Sequence, residues 1–346
     1  MNSNLRGFAA VLLYALFSVS LIACGSGGGG GGDGSGSSNS GGGGTAGISY
    51  AGSTNQATIT DSNAVDISTS VYQSGSTGTA LGSMGVVYTD DRQIGHSRSL
   101  LLSQTLKHAL LQIDVTSASG ASFSGTVVTD SGTIPGACPG TPGSASYSES
   151  YDNVTGNLSG SLSFHSYCSE GVRISGNANY SGHVNVYTAR MMQLSISFNS
   201  LTAASGSDSF TADGNISFNF SVSPVTTTIS LLMRDNSTSQ VCKIENLRMA
   251  LTEGSNYVDV SITGGRFYHP DHGYVDVVTS NALRIYNGND WPSQGVLICM
   301  GNTGFGGGST KARLTALSSM QYKVEADTTG DGLYDYNSGP LNWSDL

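Results

Sequence analysis

The stretch Ile216-Ser217-Phe218-Asn219-Phe220-Ser221-Val222 alternates apolar residues with small polar ones. Successive side chains of a β-strand point to opposite faces, so this period of two predicts a strand with one buried face and one solvated face. The same alternation recurs before and after it, in residues 184–187, 194–198, 229–233, 241–249 and 257–262. The chain from residue 122 onward is therefore predicted to form many strands.

Short turn signals separate these runs. They are Asp213-Gly214, Asp235-Asn236, Glu253-Gly254 and Pro270-Asp271-His272-Gly273. Strands that follow one another through short turns indicate an antiparallel meander. A sheet of this many strands must curl, close or split into two layers. We predict a mainly β fold in which the meander closes into a barrel or a sandwich, and periodicity does not distinguish the two.

The part before the strands carries the only helical signals, which predict one or two short helices that pack on the sheet. Thr60-Asp61-Ser62 fits a helix cap, and Ala64, Ile67 and Val71 follow at helical spacing. A second helix is predicted over residues 97–112. We place the folded β-rich domain at residues 48–346, with its helical part at residues 48–120.

Charged residues make up only 11 % of the chain, and the formal net charge is −10. Proteins that bind nucleic acids neutralise phosphates with clustered Lys and Arg, which this acidic chain lacks. We therefore expect no nucleic-acid partner. Ser, Thr, Asn and Gly take the place of charges, a composition typical of exported β-rich proteins.

The N-terminus has the order of a secretory signal peptide: Arg6, an apolar run over residues 8–22 and a small residue before a cysteine. Its end, Leu21-Ile22-Ala23-Cys24, resembles the lipobox of bacterial lipoproteins. The resemblance implies a signal peptide of residues 1–23, cleavage after Ala23, and a Cys24 that is diacylated on its thiol and acylated on its new amino group.

In that family, Gly25 rather than Asp after the cysteine implies attachment to the outer membrane of a Gram-negative cell, on either leaflet. The membrane would then be a partner through the lipid alone. Residues 24–47 form the predicted tether, since residues 25–47 include 14 glycines among 23 positions. Such a chain is flexible and has a root-mean-square reach of roughly 25–30 Å.

The other four cysteines are Cys138, Cys168, Cys242 and Cys299. An even number in a chain bound for an oxidising compartment predicts disulfides. Three pairings are possible, and we favour Cys138–Cys168 with Cys242–Cys299 because each pair lies within one local block of strands. A structural zinc site is not expected, because no two cysteines have its spacing of two to four residues.

The stretch Asp327-Thr328-Thr329-Gly330-Asp331-Gly332-Leu333-Tyr334-Asp335 places oxygen-bearing side chains at positions 1, 3, 5 and 9, with glycine at position 6. Over these nine residues it resembles EF-hand-type loops and the aspartate-rich turns of dockerin-like and thrombospondin type 3 repeats. The resemblance implies calcium as a possible cofactor. Its ligands would be the side chains of Asp327, Thr329, Asp331 and Asp335 and the carbonyl of Leu333. Thr329 and Ser338 depart from the EF-hand pattern at positions 3 and 12, and a glycine-rich hairpin turn explains the same residues without metal.

The stretch His269-Pro270-Asp271-His272 brings two imidazoles and a carboxylate within four residues, which suits a transition metal. It is also a good turn sequence, and we favour the turn. Tyr257-Val258-Asp259-Val260 recurs as Tyr274-Val275-Asp276-Val277, which predicts solvent-facing carboxylates on two strands of one sheet. Trp291, Trp343 and the 16 tyrosines suit a sugar-binding face or a sheet core equally.

The sequence contains no G-x-S-x-G elbow, and its nearest approach to a phosphate loop, residues 304–311, lacks the required Ser or Thr at Ala312. We therefore expect a membrane-anchored envelope lipoprotein whose β domain binds or scaffolds a protein or glycan without catalysis. The first alternative is a hydrolase that acts on polysaccharide with carboxylates of adjacent strands, such as Asp259 and Asp276. The second is a calcium-dependent adhesive module.

Overall fold

The computed structural model describes residues 47–82, 127–169, 171–188, 190–206 and 208–346. The predicted signal peptide, Cys24, the predicted tether before Gly47 and the helix predicted over residues 97–112 lie outside these ranges. Within the part of the chain that is described, no helix combines the length and the apolar character that crossing a membrane requires.

The described chain folds into one antiparallel sheet with a single α-helix, which confirms the mainly β meander. The helix α1 spans Ala64–Gly82. The strands are β1 (Val127–Pro135), β2 (Ser144–Asp152), β3 (Asn157–Ser169), β4 (Val172–Asn185), β5 (Arg190–Ser205), β6 (Asp208–Asn219), β7 (Val225–Asp235), β8 (Val241–Glu253), β9 (Tyr257–His269), β10 (Gly273–Tyr286), β11 (Gln294–Thr303), β12 (Ser309–Ser318), β13 (Gln321–Asp327) and β14 (Tyr336–Asn342). A short 3-10 helix, Trp343–Asp345, ends the chain.

The spatial order of the strands is their order in the sequence. The described sheet is therefore not closed into a barrel, and β1 and β14 are its two edges. Most turn signals fall between strands as predicted. The turn predicted at Asp213-Gly214 is wrong, because both residues lie inside β6.

Several strands of the sheet contain β-bulges in their middle, and these bulges bend the strands. Ser166, Ser200 and Asn246 adopt positive φ angles of about 50°, and the pairing register shifts beside each of them. Such β-bulges bend a strand and increase its twist. Gly214 approaches a further register shift, that of β7 with β8 at Ser230: a Cβ on Gly214 would lie 2.2 Å from the Ser230 carbonyl oxygen. Here the glycine permits close backbone approach inside a sheet rather than a turn.

The sheet curves around α1. The helix packs against β7, β8 and β9 and also against β11, β12 and β13. Every residue from Ile67 to Gln73 is buried. Seven consecutive residues make almost two turns of a helix, so this part of α1 is covered on all of its faces. A flat sheet would cover only one face of the helix, so the burial agrees with a curved sheet.

The helix begins after a turn rather than directly at the predicted cap. Asn63 precedes Ala64, and its side-chain Oδ1 accepts a hydrogen bond from the Thr60 amide at 2.8 Å. The preceding segment is pinned across one end of the sheet: Gln56 forms a parallel bridge with Tyr274, and the Asn302 amide donates to the Ala57 carbonyl at 2.8 Å. This end of the sheet contains the turn between β9 and β10 that holds the two histidines.

Candidate metal centre

Three side chains converge where the first turn of α1 meets the β9–β10 turn. Asp66 comes from α1, His269 is the last residue of β9, and His272 is in the turn. Asp66 Oδ2 lies 3.3 Å from His269 Nε2 and 3.0 Å from His272 Nε2. The ligand atoms of all three lie within 4.8 Å of one another, and theirs is the one such group of three among the described residues.

Contacts around the cluster hold its members in place. Pro270 follows His269 in the turn, and the two imidazole rings stack with centroids 4.5 Å apart. The Tyr50 hydroxyl donates to the His269 carbonyl at 2.8 Å and so ties the N-terminal segment to the end of β9. Asp66 lies in the first turn of α1, where the helix dipole favours a negative charge.

The cluster is closed on one side and open on the other. The His269 side chain is 1 % exposed, whereas those of Asp66 and His272 are 33 % and 28 % exposed. Burial raises the pKa of Asp66, but the neighbouring imidazoles lower it by more, so the net pKa lies below the usual value. The carboxylate is therefore charged at neutral pH.

His269 Nε2 is buried and has no hydrogen-bond partner among the described residues. It lies 3.3 Å from Asp66 Oδ2, which is within ion-pair distance. The other ring nitrogen, Nδ1, accepts from the Asp271 amide at 3.2 Å.

Two imidazoles and one carboxylate are ligands that suit zinc and related divalent transition metals. Four ligands placed tetrahedrally around zinc at about 2.0–2.1 Å are about 3.3 Å apart. The two separations from Asp66 Oδ2 are close to that edge length. The cluster thus resembles a set of three protein ligands that leaves one position for water.

Sequence reasoning identified both histidines but assigned the wrong carboxylate to them. The turn is confirmed, and its Asp271 carboxylate points away to Gln240 Nε2 at 3.3 Å. The carboxylate in the cluster is Asp66, which is 206 positions from His272. No local pattern marks a contact over such a separation. Only the prediction that a helix packs on the sheet pointed in this direction.

The predicted calcium loop forms the turn between β13 and β14. Asp327 is buried and accepts hydrogen bonds from the amides of Gly330 at 2.7 Å and Gly332 at 2.9 Å. Asp335 accepts from Thr328, and Asp331 accepts from the Leu333 amide. Thr329 Oγ1 is buried without a hydrogen-bond partner in the described chain. The carboxylates thus cap the turn without gathering as a group of three, and calcium binding stays a prediction.

One of the two predicted disulfides forms. Cys138 and Cys168 form a disulfide with a Cα–Cα distance of 5.5 Å. The predicted Cys242–Cys299 pair is wrong, because both thiols are free and buried. They lie on β8 and β11, three intervals or about 14 Å apart along a sheet, whereas a disulfide needs Cα atoms within about 7 Å. Burial raises the pKa of Cys299 to about 12.

The two Tyr-Val-Asp-Val segments have the predicted orientation, because their valines are buried and their aspartates lie on the opposite face. Asp259 pairs with Arg284 at 2.7 Å and Asp276 with Arg266 at 2.9 Å. Each carboxylate is thus neutralised by a cation. The tryptophans belong to the hydrophobic core: Trp343 is 0 % exposed, and Trp291 stacks on it at 5.6 Å.

A different carboxylate pair lies on neighbouring strands. Asp130 on β1 is directly opposite Glu149 on β2. The Tyr147 hydroxyl donates to Asp130 at 2.9 Å, and the Tyr180 hydroxyl donates to Glu149 at 2.6 Å. Burial is the main cause that raises the pKa of Glu149. Sequence reasoning missed this pair because its residues do not form a motif.

Comparison with known proteins returned no match: neither a family model, nor a curated protein, nor a solved structure matches this chain.

Proposed function

We propose that the protein is a lipid-anchored lipoprotein of the bacterial envelope whose β domain binds a divalent transition-metal ion at the Asp66–His269–His272 cluster. The observation that carries the metal proposal is the convergence of two imidazole nitrogens, one of them buried, on one charged carboxylate oxygen. The anchor is supported by the lipobox resemblance at Cys24 and by the glycine-rich tether that follows it. The role is one of binding, without catalysis.

Metal binding has to replace two local hydrogen bonds, the one between His272 Nε2 and Asp66 Oδ2 at 3.0 Å and one at His269. A histidine that binds a metal through Nε2 carries its proton on Nδ1, and this nitrogen of His269 now accepts from the Asp271 amide. Losing that bond costs about 1 kcal/mol. Zinc binding to structural sites releases about 10–16 kcal/mol. The turn can therefore rearrange at a small cost relative to the gain.

The test is zinc titration of the full chain, purified in detergent and stripped of metal with EDTA. We expect one bound zinc per chain and a melting temperature that rises with zinc concentration, because a ligand of the native state stabilises it. Cobalt(II) in place of zinc should give the absorption bands of a low-symmetry site.

The cluster supplies a matched pair of variants. Asp66→Asn should lose the bound zinc, whereas Asp271→Asn removes a carboxylate from the same turn that points to Gln240 and should keep it. His272→Ala should lose zinc and His165→Ala, at an exposed position on β3, should not. Equal zinc binding by Asp66→Asn and the native protein would refute the site.

The anchor is tested separately. Replacing Cys24 with Ser removes the thiol that the lipid requires, so the protein should leave the membrane fraction. Its continued presence there would overturn the proposed attachment and leave the metal site untouched.

The hydrolase remains the alternative function, and the facing Asp130 and Glu149 favour it. A carboxyl group with a raised pKa beside a second carboxylate is the arrangement of a general acid and its partner. Hydrolysis of a polysaccharide that is lost in both Asp130→Asn and Glu149→Gln would support it.

A further inference from the structure

The outer face of strands β3 to β7 contains a groove of about 430 Å³. Its volume lies in the range of small-molecule sites. The groove lies on strands β3 to β7, whereas the candidate metal centre lies at the β9–β10 turn. Its lining residues include Asn157, His183, Gln193, Ser195, Asn219 and Thr226, and no lining residue is an aspartate, glutamate, lysine or arginine.

These side chains form a regular row across the strands. Asn157 pairs with His183, His183 with Gln193, Gln193 with Asn219 and Asn219 with Thr226. The row crosses five strands, or about 19 Å at about 4.8 Å per interval. It thus presents amide, imidazole and hydroxyl groups at even spacing, over a length that suits several units of a chain-like ligand.

Most of this hydrogen-bonding capacity is unused. The side chains of Asn157, His183 and Gln193 make no hydrogen bond to another described residue. A second row contributes the Ser195–Ser217 hydroxyl pair at 3.3 Å. Amides and hydroxyls both donate and accept, so the groove offers both kinds of partner.

The outer face beyond β7 is different, because its side chains pair with one another. Arg284 binds Asp259 and stacks over the Tyr257 ring at 3.7 Å. Arg266 binds Asp276 and stacks over the Tyr274 ring at 4.6 Å. Such contacts leave few groups for a ligand. The uncharged lining, in which Asn157, His183 and Gln193 have no hydrogen-bond partner among the described residues, is thus a property of the groove rather than of the whole face.

The lining decides between classes of ligand. An anion would need cationic side chains, which the lining lacks. An apolar ligand would leave the polar groups without partners. A peptide that adds as a strand needs a free sheet edge, and the groove lies on a face. A neutral molecule with many hydroxyl groups satisfies donors and acceptors together.

We infer that this groove binds a neutral oligosaccharide that lies across strands β3 to β7. Tyr187 supports the inference: it is 95 % exposed in the β4–β5 turn, four residues after His183. Asn185 fixes that turn by accepting the amides of Tyr187 and Thr188. An exposed aromatic ring in the turn that follows His183 can stack on a sugar ring.

The test is calorimetric titration of the full chain in detergent with four neutral hexasaccharides: cellohexaose, maltohexaose, mannohexaose and chitohexaose. EDTA in every sample keeps the metal centre empty, so that the outcome is independent of it. We expect at least one neutral hexasaccharide to bind saturably at one site, and hexagalacturonate, its charged counterpart, not to bind. Absence of binding by all four at millimolar concentration would overturn the inference, and so would equal binding of hexagalacturonate.

The groove variant Gln193→Ala/Asn219→Ala should weaken binding about tenfold or more, since it removes two amides. The control Asn215→Ala/Gln294→Ala removes two exposed amides outside the lining and should bind as the native protein does. Tyr187→Ala changes only an exposed ring, so it should keep the melting temperature and still lower the affinity. Unchanged affinity in both the groove variant and Tyr187→Ala would refute the site.

Discussion

At the scale of single residues, tyrosine rings cover the carboxylates of the first strands. Tyr180 crosses over Gly160 to reach Glu149, and a Cβ on Gly160 would lie 2.3 Å from the Tyr180 ring. Glu149 is buried with Asp130 directly opposite. Like charges in such positions destabilise a sheet. The site thus keeps a carboxyl group where its charged form is unfavourable.

Glu149→Gln should therefore stabilise the protein at neutral pH. Burial raises the folded-state pKa of Glu149 above its unfolded value, so the native state binds more protons. The penalty is complete above the folded-state pKa and vanishes as pH falls toward the unfolded value of about 4.3. Chemical denaturation at pH 7 and pH 4.5 should show a gain at pH 7 that shrinks at pH 4.5.

Glu325→Gln gives the opposite sign and serves as the control. The hydrogen bond from Arg313 lowers the pKa of Glu325. This stability is present above the unfolded pKa and is lost as pH falls through the folded one. The variant should therefore be less stable than the native protein at pH 7 and equal to it in strong acid. The same sign for both variants would contradict the two assignments.

At the scale of elements, alternation in the sequence predicted the strands well but not the bulges within them. A bulge inserts one residue and leaves the alternation intact on each side, so it leaves little trace in a periodic pattern. Asp213-Gly214 shows the ambiguity: the same pair suits a turn or a bulge partner. In the structure Asp213 accepts hydrogen bonds from the amides of Ser200 and Ile48, and no local rule anticipates those partners.

Gly214→Ala should destabilise the sheet strongly. Gly214 has a φ of 129°, and the new Cβ would meet the Ser230 carbonyl. Gly288→Ala is the matched control, because Gly288 also has a positive φ of 85° but nothing lies within 4 Å of a Cβ there. We expect a loss of about 1–3 kcal/mol for Gly288→Ala from backbone strain alone, and a larger loss for Gly214→Ala. Equal denaturation midpoints would show that close approach contributes nothing.

At the scale of the whole molecule, α1 packs between the sheet and the residues that follow β14. Trp343 contacts Tyr72 of α1 at 4.8 Å and Tyr322 of β13 at 4.5 Å between ring centroids. Its indole nitrogen donates to the Ser318 carbonyl at 2.9 Å. Composition identified the aromatic residues, but their place in the core depends on the curvature, which the sequence pattern does not encode.

Trp343→Ala should therefore cost about 3–5 kcal/mol, the usual loss for a large buried aromatic side chain. Phe305→Ala is the control, because Phe305 is fully exposed and its removal should leave the melting temperature unchanged. Thermal unfolding of both variants measures the difference. A Trp343 variant as stable as the Phe305 variant would show that the C-terminus does not hold the core together.

The strand order affects the order in which the contacts of the protein can form during synthesis. Each strand pairs with its neighbour in the chain, so every pairing closes a short loop at low entropic cost. The helix is different, since Gln73 meets the carbonyl of Leu346 across 273 positions. The helix precedes every described strand in the sequence, whereas Trp343 and Leu346, which contact it, follow all of them. A variant that stops at Asn342 would keep the fourteen described strands but leave the helix without Trp343.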